Sequence, residues 1–499
     1  MHDFIVCSIF KNESHILDEW ISHYLFHGID HIYLVNDFST DSYMEIIEKY
    51  ADRVTLFHND IVTKEVGRQT QIYRKYFTPL LPTAKWMGIF DLDEFLYSPE
   101  TVDIKQVLFE YSKYAQIIVD WVHFGSNDHV LQPNSVVEGF TMRALSRESG
   151  RNVRYYGYKS IFQTACLQSF DIHAANVLGE NLRIIDTHKA KLLINHYNTQ
   201  SLDFFINVKG TRGDVNNWFD HVKLQRNNEL FKEFDVNDFE DLRLYNQNKE
   251  LIKQVKHNKL TKSDDVTLVI TSCNRPHLLD KTLESFVKSN TYLISKTIIL
   301  DDSGIIGCNE TAVEKYKDVL KIASLYNKTN ISQIKSIDKL YSYVRTKYAF
   351  HCEEDWEFLQ PKFIEKSKHV FDENPDEKIF TVWLRPHHET SAHPIVFDNQ
   401  MRGYYEMQRD FSYISKGILY TWCGVTFNPG LRKTEDIYVL HPFFNHCKRI
   451  VKNEKTYPIE GEYAINDEYR KRGYFAYILD DPRGHVNHIG WEDHIETGY

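Results

Sequence analysis

The chain has 499 residues, room for roughly two to four domains, with 42% hydrophobic and 26% charged residues and a net charge of −11. That acidic balance, without a long basic run, argues against a nucleic-acid groove or an anionic membrane surface as partner. Seven cysteines with no Cys-x-x-Cys pair argue against a zinc module, and no apolar stretch reaches the ~20 residues of a membrane span, so a soluble, cytoplasmic protein is expected.

The first segment, MHDFIVCSIFKNE, has no basic leader. Its run Phe4 to Phe10 is β-branched and aromatic, the composition of a buried strand. Next, Ile16, Leu17, Trp20, Ile21, Tyr24 and Leu25 recur at helical spacing, and Gly28 closes the helix. HIYLVNDFSTDS predicts a second strand, YMEIIEKYA a helix, RVTLFHN a third strand, and GIFDLDEFLYS (Gly88 to Ser98) the polar end of a fourth. This alternation predicts an α/β fold with a mostly parallel sheet flanked by helices.

The pattern restarts at VTLVITSCNRPHLLDKTLESFVKSN (Val266 to Asn290) and continues through KTIILDDSG to AFHCEEDWEFL. Phe4 lies 89 residues before Asp93, and Thr267 lies 88 before Asp355. Late in each half, LLINHYN and GHVNHIG place Asn-His after a strand. Three ordered echoes predict two tandem domains of similar fold, 1–240 and 266–499. The polar, lysine-rich stretch 241–265 is expected to be a partly helical connector.

Ligands of open parallel sheets bind outside the carboxyl ends of the strands, where Asp37, Asp91, Asp93, Asp302, Glu353 and Asp355 fall. If the fourth strand persists, Asp91 and Asp93 face one ligand together. Several buried carboxylates need a positive partner. A hard cation, Mn²⁺ or Mg²⁺, sharing coordination with a nucleotide diphosphate, is the partner expected for Asp91 and Asp93, and for Glu353 and Asp355. Lys209 and Arg212 in VKGTRG are candidates for phosphate oxygens, with a solvated loop as the alternative.

DFIVCSIFKNESHILDEWISHYLFHGIDHIYLVNDFSTD, FDLDEFL, DWVHFGSNDH and INHYNTQSLDFFINVKGTRG together resemble glycosyltransferase family 92 and related family-2-like enzymes, across residues 1 to about 235. VITSCNRP, ILDDSG, CEEDWEF, TFNPGLRK and the stretch GEYAINDEYRKRGYFAYILDDPRGHVNHIGW resemble family-2-type glycosyltransferases. The resemblance implies two GT-A domains, each with an Asp-x-Asp-type metal site and a nucleotide-sugar donor, a UDP-sugar above all. Glu353-Glu354-Asp355 departs from that motif: a glutamate can still ligate the metal, but its longer side chain changes the reach.

The resemblance further implies that Asp37 and Asp302 contact the nucleoside, although capping of the following helix is an alternative. It makes His196 and His488 late contacts to the metal or diphosphate, against a plain structural role; His173 is expected only to pack. An inverting transfer needs a base for the acceptor hydroxyl. Glu462 occupies the matching position in the second half, with Asp467 as rival; Asp120 and Asp128 are the candidates in the first. Trp121 and Phe124 are candidates for an acceptor platform, or else core.

The resulting expectation is a bifunctional, inverting, metal-dependent glycosyltransferase acting on a glycan or glycoconjugate acceptor. One alternative is a single catalytic domain beside a degenerate acceptor-binding one. Another is a nucleotidyltransferase, for which the glycine- and lysine-rich phosphate loop is not evident. Oligomeric state is left open.

Overall fold

The computed structural model describes residues 1–62, 67–145, 157–185, 190–210, 226–261, 263, 265–390, 393–415, 418–447, 449–452, 455–458 and 461–491. The chain divides into two compact units, Met1–Lys256 and His257–Tyr499. Both are α/β, built on parallel strands.

In the first unit the strands are β1 (His2–Phe10), β2 (His31–Asn36), β3 (Val54–His58), β4 (Ala84–Ile89), β5 (Glu94–Tyr97), β6 (Gln116–His123), β7 (Tyr158–Gln163), β8 (Asn181–Ile184) and β9 (Leu193–His196). They form one sheet in the order β3-β2-β1-β4-β7-β6-β9-β5, with β8 also on β6. The first four are mutually parallel and β7 is antiparallel to both neighbours.

A parallel sheet must be covered on both faces, and β1 shows how its sequence achieves this. Phe4, Val6 and Phe10 enter one apolar cluster with Leu17, Trp20 and Ile21 of helix α1 (Ser14–Phe26). Ile5, Cys7 and Ile9 enter another with Ile72, Tyr73 and Phe77 of α2 (Arg68–Phe77). Beyond α1, Gly28 has φ +88°, and a Cβ there would lie 2.4 Å from Asp103 Oδ1, so glycine is required for this turn.

The stretch read as a connector contains helix α3 (Arg243–Asn258), which is part of the first unit's core. Leu244, Tyr245 and Ile252 join the large apolar cluster. Asn248 bridges the buried His23 and His27 at 3.0 Å each, and the buried Lys256 pairs with Glu138 at 2.8 Å. Asn248 and Lys256 are therefore satisfied contacts inside the unit, and the unit boundary falls at 256/257.

The second unit repeats the arrangement with β10 (Val266–Ser272), α4 (Pro276–Ser289), β11 (Ile294–Asp301), β12 (Ile322–Tyr326), α5 (Gln333–Tyr341), β13 (Tyr348–Glu353) and β14 (Trp356–Phe358). It continues through β15 (Ile379–Trp383), β16 (Tyr404–Met407), β17 (Gly430–Lys433), α6 (Gly461–Lys471), β18 (Phe475–Leu479) and β19 (Val486–His488). Its main sheet runs β12-β11-β10-β13-β17, the first four parallel and the last antiparallel. A second sheet places β18 between β15 and β16, and β14 pairs with β19. Among the described residues no helix is long and apolar enough to cross a membrane.

His393 lies between the rings of Trp383 and Trp422, at 4.8 and 4.9 Å. Burial, aided by the Arg385 charge, pushes it down to about 4. A histidine depressed on folding contributes stability that is present above its unfolded value and lost as pH falls. The second unit is therefore expected to lose up to about 3 kcal/mol between pH 6.5 and 4, measured by denaturant unfolding, and His393→Gln removes that part of the dependence.

Candidate active sites

The acidic turn of the first unit begins where β4 ends. The strand stops at Ile89, so Asp91 and Asp93 do not point the same way as a continued strand would have them. Asp91, Leu92 and Asp93 form a turn closed by Glu94 N–H to Asp91 O at 3.0 Å, with the Asp91 N–H donating to Glu94 Oε2 at 2.9 Å. From α1, Trp20 Nε1 donates to the Asp91 and Glu94 carbonyls, and Tyr24 OH donates to the latter. The polar ends of two core aromatics thus hold the turn's backbone.

Each carboxylate then meets a lysine. Lys159 Nζ of β7, fully buried, lies 3.1 Å from Asp91 Oδ2 and 3.7 Å from Glu94 Oε2. Burial drives Glu94 well above the usual carboxylate range, Lys159 opposing and Asp91 and Asp93 adding to the shift. Lys209 Nζ, expected on phosphate, instead sits on Asp93 Oδ2 at 2.7 Å, and also donates to Asn198 O (2.8 Å) and Oδ1 (2.7 Å). His196 Nε2 is 3.5 Å from Asp93 Oδ1. Burial alone would raise Asp93; Lys209 and His196 outweigh it and hold the group well below the carboxylate range. The cations facing this turn are protein ammonium groups.

His196 reaches Asp93 because β5 and β9 are antiparallel with Glu94 opposite His196, and Tyr197 N–H extends the ladder to Asp93 O. The second unit has the same register. Trp356 of β14 is opposite His488 of β19, Ile489 N–H donates to Asp355 O at 2.9 Å, and His488 Nε2 lies 3.2 Å from Asp355 Oδ2. The Asn-His echoes therefore occupy equivalent places. Among the described residues neither histidine's buried Nδ1 has a hydrogen-bond partner. Gly490 completes the second turn: a Cβ there would lie 2.6 Å from Asp355 Oδ2.

The charge balance differs in the second unit. Arg275, at the start of α4, lies 2.8 Å from Glu354 Oε1 and 3.0 Å from Asp355 Oδ2. Burial would raise Asp355, but His488 and Arg275 bring it below its ordinary value. Among the described residues Asp355 Oδ1 is buried with no hydrogen-bond partner. Glu353 accepts an amide hydrogen bond from Gln333, and burial with the neighbouring Asp355, Glu354 and Glu462 pushes it up to about 8. Glu462, in the first turn of α6, is one of the charges behind that shift, and its Oε1 accepts the Phe427 N–H at 3.0 Å. Asp467 is held by Arg470 and Lys471 along the same helix.

Asp37 and Asp302 also correspond, each bonding through its N–H to the end of the first strand of its unit, at Phe10 O and Ser272 O. Neither caps the next helix. Arg68 grips Asp37 bidentately at 2.9 and 2.6 Å, and Asn59 Nδ2 donates to it at 2.7 Å. Asp302 accepts from Asn327 Nδ2 at 2.7 Å and Ile331 N–H at 2.8 Å. The two asparagines, each just after the third strand, are a further echo visible in the sequence but not used.

Asp120 is buried against Arg183 at 3.0 Å. Asp128 stands in a left-handed turn at φ 57°. Trp121 packs on His196 at 4.3 Å, and His173 packs on Trp121 at 5.5 Å. Phe124 is buried on Tyr197 and is core. Arg212 lies outside the described residues. Sequence reasoning missed Lys159 and Asn198, which nothing local marks, and Arg275, which stands in the quoted CNRP.

Among the described residues no three His, Cys, Asp or Glu side chains converge to hold a metal by themselves. Asp355, with its orphaned Oδ1, and His488 fit two corners of a hard-cation shell that donor oxygens would complete. In the first unit the same corners, Asp93 and His196, are present, and a lysine occupies that carboxylate as Arg275 does Asp355.

Curated proteins similar to this chain include glycosyltransferase family 92 proteins of Ricinus communis (23% identical over 215 residues, 41% of this chain and 37% of that protein) and Oryza sativa subsp. japonica (23% over 210 residues, 41% and 34%). The chain thus spans little more than a third of the length of the relatives it matches. Among solved structures, GalNAc-T7 with UDP, GalNAc and Mn²⁺ aligns at 13% identity and a TM-score of 0.34, covering 47% of this chain and 45% of that one. S. aureus TarS aligns at 11% and 0.29, covering 44% and 35%. Residues 2–244, nearly the whole first unit, match the model of glycosyltransferase family 92.

Proposed function

We propose that the chain is a bifunctional glycosyltransferase with one site in each unit, each passing a sugar from a nucleotide-sugar donor to a hydroxyl of a glycan acceptor with inversion. The observation that carries the reading is the repeated Asp–His pair, Asp93 with His196 and Asp355 with His488, set by one strand register beside the carboxyl ends of both parallel sheets. The family match over the first unit supports glycosyl transfer as the chemistry.

Asp37 and Asp302, gripped by their asparagines, brace the nucleoside end of each donor site. Arg275 and Lys209 supply fixed positive charge beside the acidic turns. In the second unit Glu462, oriented by the Phe427 N–H, takes the proton of the acceptor hydroxyl as that oxygen attacks the anomeric carbon and the sugar–phosphate bond breaks. Asp120 and Asp128 are the candidates for the same role in the first unit. A divalent cation held by Asp355 and His488, or by Asp93 and His196, would supply charge neutralisation for the departing diphosphate. The donor is a UDP-sugar in this reading.

Thermal shift against UDP, GDP and CMP, with and without Mn²⁺, tests the donor class, since a ligand of the folded state raises apparent stability. UDP with Mn²⁺ is expected to stabilise; no response from any nucleotide overturns the donor reading. Asp93→Asn and Asp355→Asn are each expected to slow a different transfer step by at least about a hundredfold, read by mass spectrometry of the products. Loss of transfer in only one variant means that one unit is catalytic and the other binds acceptor. Pyrophosphate release from a nucleoside triphosphate and a sugar phosphate points instead to nucleotidyl transfer.

A further inference from the structure

Arg432 of β17 is 0% exposed, and among the described residues no carboxylate pairs with it. Its Nη2 donates to Thr426 O at 2.8 Å and to Asn428 O at 3.0 Å, and its Nη1 to Gly430 O at 3.5 Å. The rings of Phe380 and Phe427 lie 5.3 and 5.8 Å from the guanidinium carbon. A buried charge held only by carbonyls and ring faces is costly, and an apolar side chain of like volume is often neutral or stabilising in its place.

The fold itself does not require it. Asp37 N–H bonds Phe10 O and Asp302 N–H bonds Ser272 O, so the first strands of the two units align at Phe10 and Ser272. On that alignment Cys7, paired with Ile89, matches Val269, paired with His351. Met87 and Ala349 then match along the fourth strands, and they stand opposite Phe162 and Arg432. The first unit fills the equivalent place with a buried phenylalanine.

What the arginine adds is control of one peptide group. Thr426 O and the Phe427 N–H belong to the same planar trans peptide and point opposite ways. Arg432 takes the oxygen, and Glu462 Oε1 accepts the N–H at 3.0 Å. The cation fixes the plane and polarises it, so the N–H donates more strongly to the carboxylate. Asn428 O, on the other side of Phe427, is held by the same nitrogen.

We infer that Arg432 is a positioning residue for transfer by the second unit, acting through the Thr426–Phe427 peptide to hold the Glu462 carboxylate in place. The inference rests on the reading of Glu462 as the base.

Two readouts test it in the full chain carrying Asp93→Asn, which silences the first unit. Hydrogen exchange of the Phe427 amide is followed by NMR of protein labelled at its phenylalanine amides, the signal being assigned by its loss in Phe427→Leu. The rate is single-turnover release of UDP from UDP-glucose, UDP-galactose and their N-acetylated forms, with water in place of the acceptor hydroxyl. Arg432→Met is expected to speed exchange of that amide about tenfold and to slow UDP release about a hundredfold at unchanged UDP affinity. Arg432→Lys keeps the charge without the planar fork and is expected to recover about tenfold of the lost rate. Added to Glu462→Gln, Arg432→Met is expected to change the rate by less than about threefold, because both act at one carboxylate.

An Arg432→Met effect that multiplies in full with that of Glu462→Gln overturns the inference alone. Where Arg432→Met does not fold, Arg432→Lys decides: a lowered melting temperature with amide exchange and rate unaltered makes Arg432 purely structural and overturns it. An unaltered rate in Glu462→Gln overturns Glu462 as the base, and the inference with it. No UDP release by the unaltered chain overturns the UDP-sugar donor, and exchange of the Phe427 amide then decides on Arg432 by itself.

Discussion

Glu462→Gln is expected to lower the rate constant for transfer by the second unit about 10²- to 10⁴-fold while leaving nucleotide affinity unchanged. The amide is nearly isosteric and its oxygen can still accept the Phe427 N–H, so the first turn of α6 keeps its place. What disappears is the capacity to accept a proton as the acceptor oxygen attacks. The measurement is single-turnover transfer with the first unit silenced by Asp93→Asn, beside a nucleotide binding isotherm. Asp467→Asn serves as the comparison: its carboxylate is spent on Arg470 and Lys471, and its loss is expected to cost less than about 1 kcal/mol of stability and no activity. Equal rates for Glu462→Gln and the unaltered protein would remove Glu462 as the base.

The largest effect on stability is expected at Lys159. Replacing it by methionine leaves Asp91 and the fully buried Glu94 without their cation and should cost the first unit about 3–5 kcal/mol at neutral pH. The sign of its pH dependence follows from the carboxyl that remains. Without the ammonium Glu94 holds its proton more tightly, so its folded-state value rises further above the unfolded one. A group raised on folding favours the native state at low pH and disfavours it as pH climbs, so the deficit of Lys159→Met should shrink as the solution is acidified. Denaturant unfolding from the ordinary carboxylate range up through neutral pH checks this, and adding Glu94→Gln should recover much of the loss.

The local signals in the sequence proved strong wherever a face or a strand end decides structure. Continuous apolar runs at Phe4–Phe10 and Val266–Ser272 became strands covered on both faces, as their composition requires. The acidic ends and the Asn-His echoes were readable because strand ends and register repeat at fixed spacing. The direction of the acidic side chains was not, since it depends on where β4 stops and on lysines 68 and 116 residues further on, at Lys159 and Lys209. Nor was the burial of α3, because Asn248 and Lys256 read as polar until His23, His27 and Glu138 are beside them. Likewise Asp120 carried no mark of Arg183, its partner across the sheet edge.

The pairing of β5 with β9 joins positions 96 to 102 apart in the chain, and that of β14 with β19 positions 128 to 132 apart. Contacts of such separation form late, because the entropy of closing a long loop must be met first. Until then the turn around Asp91, Asp93 and Glu94 lacks Lys209 and His196, and the turn around Glu353, Glu354 and Asp355 lacks His488. Each acidic turn is therefore only partly neutralised, by Lys159 or Arg275, until that pairing forms. Moderate salt, which screens exposed charges beyond about 8–10 Å, accelerates that step, although it leaves the finished, enclosed ion pairs almost untouched.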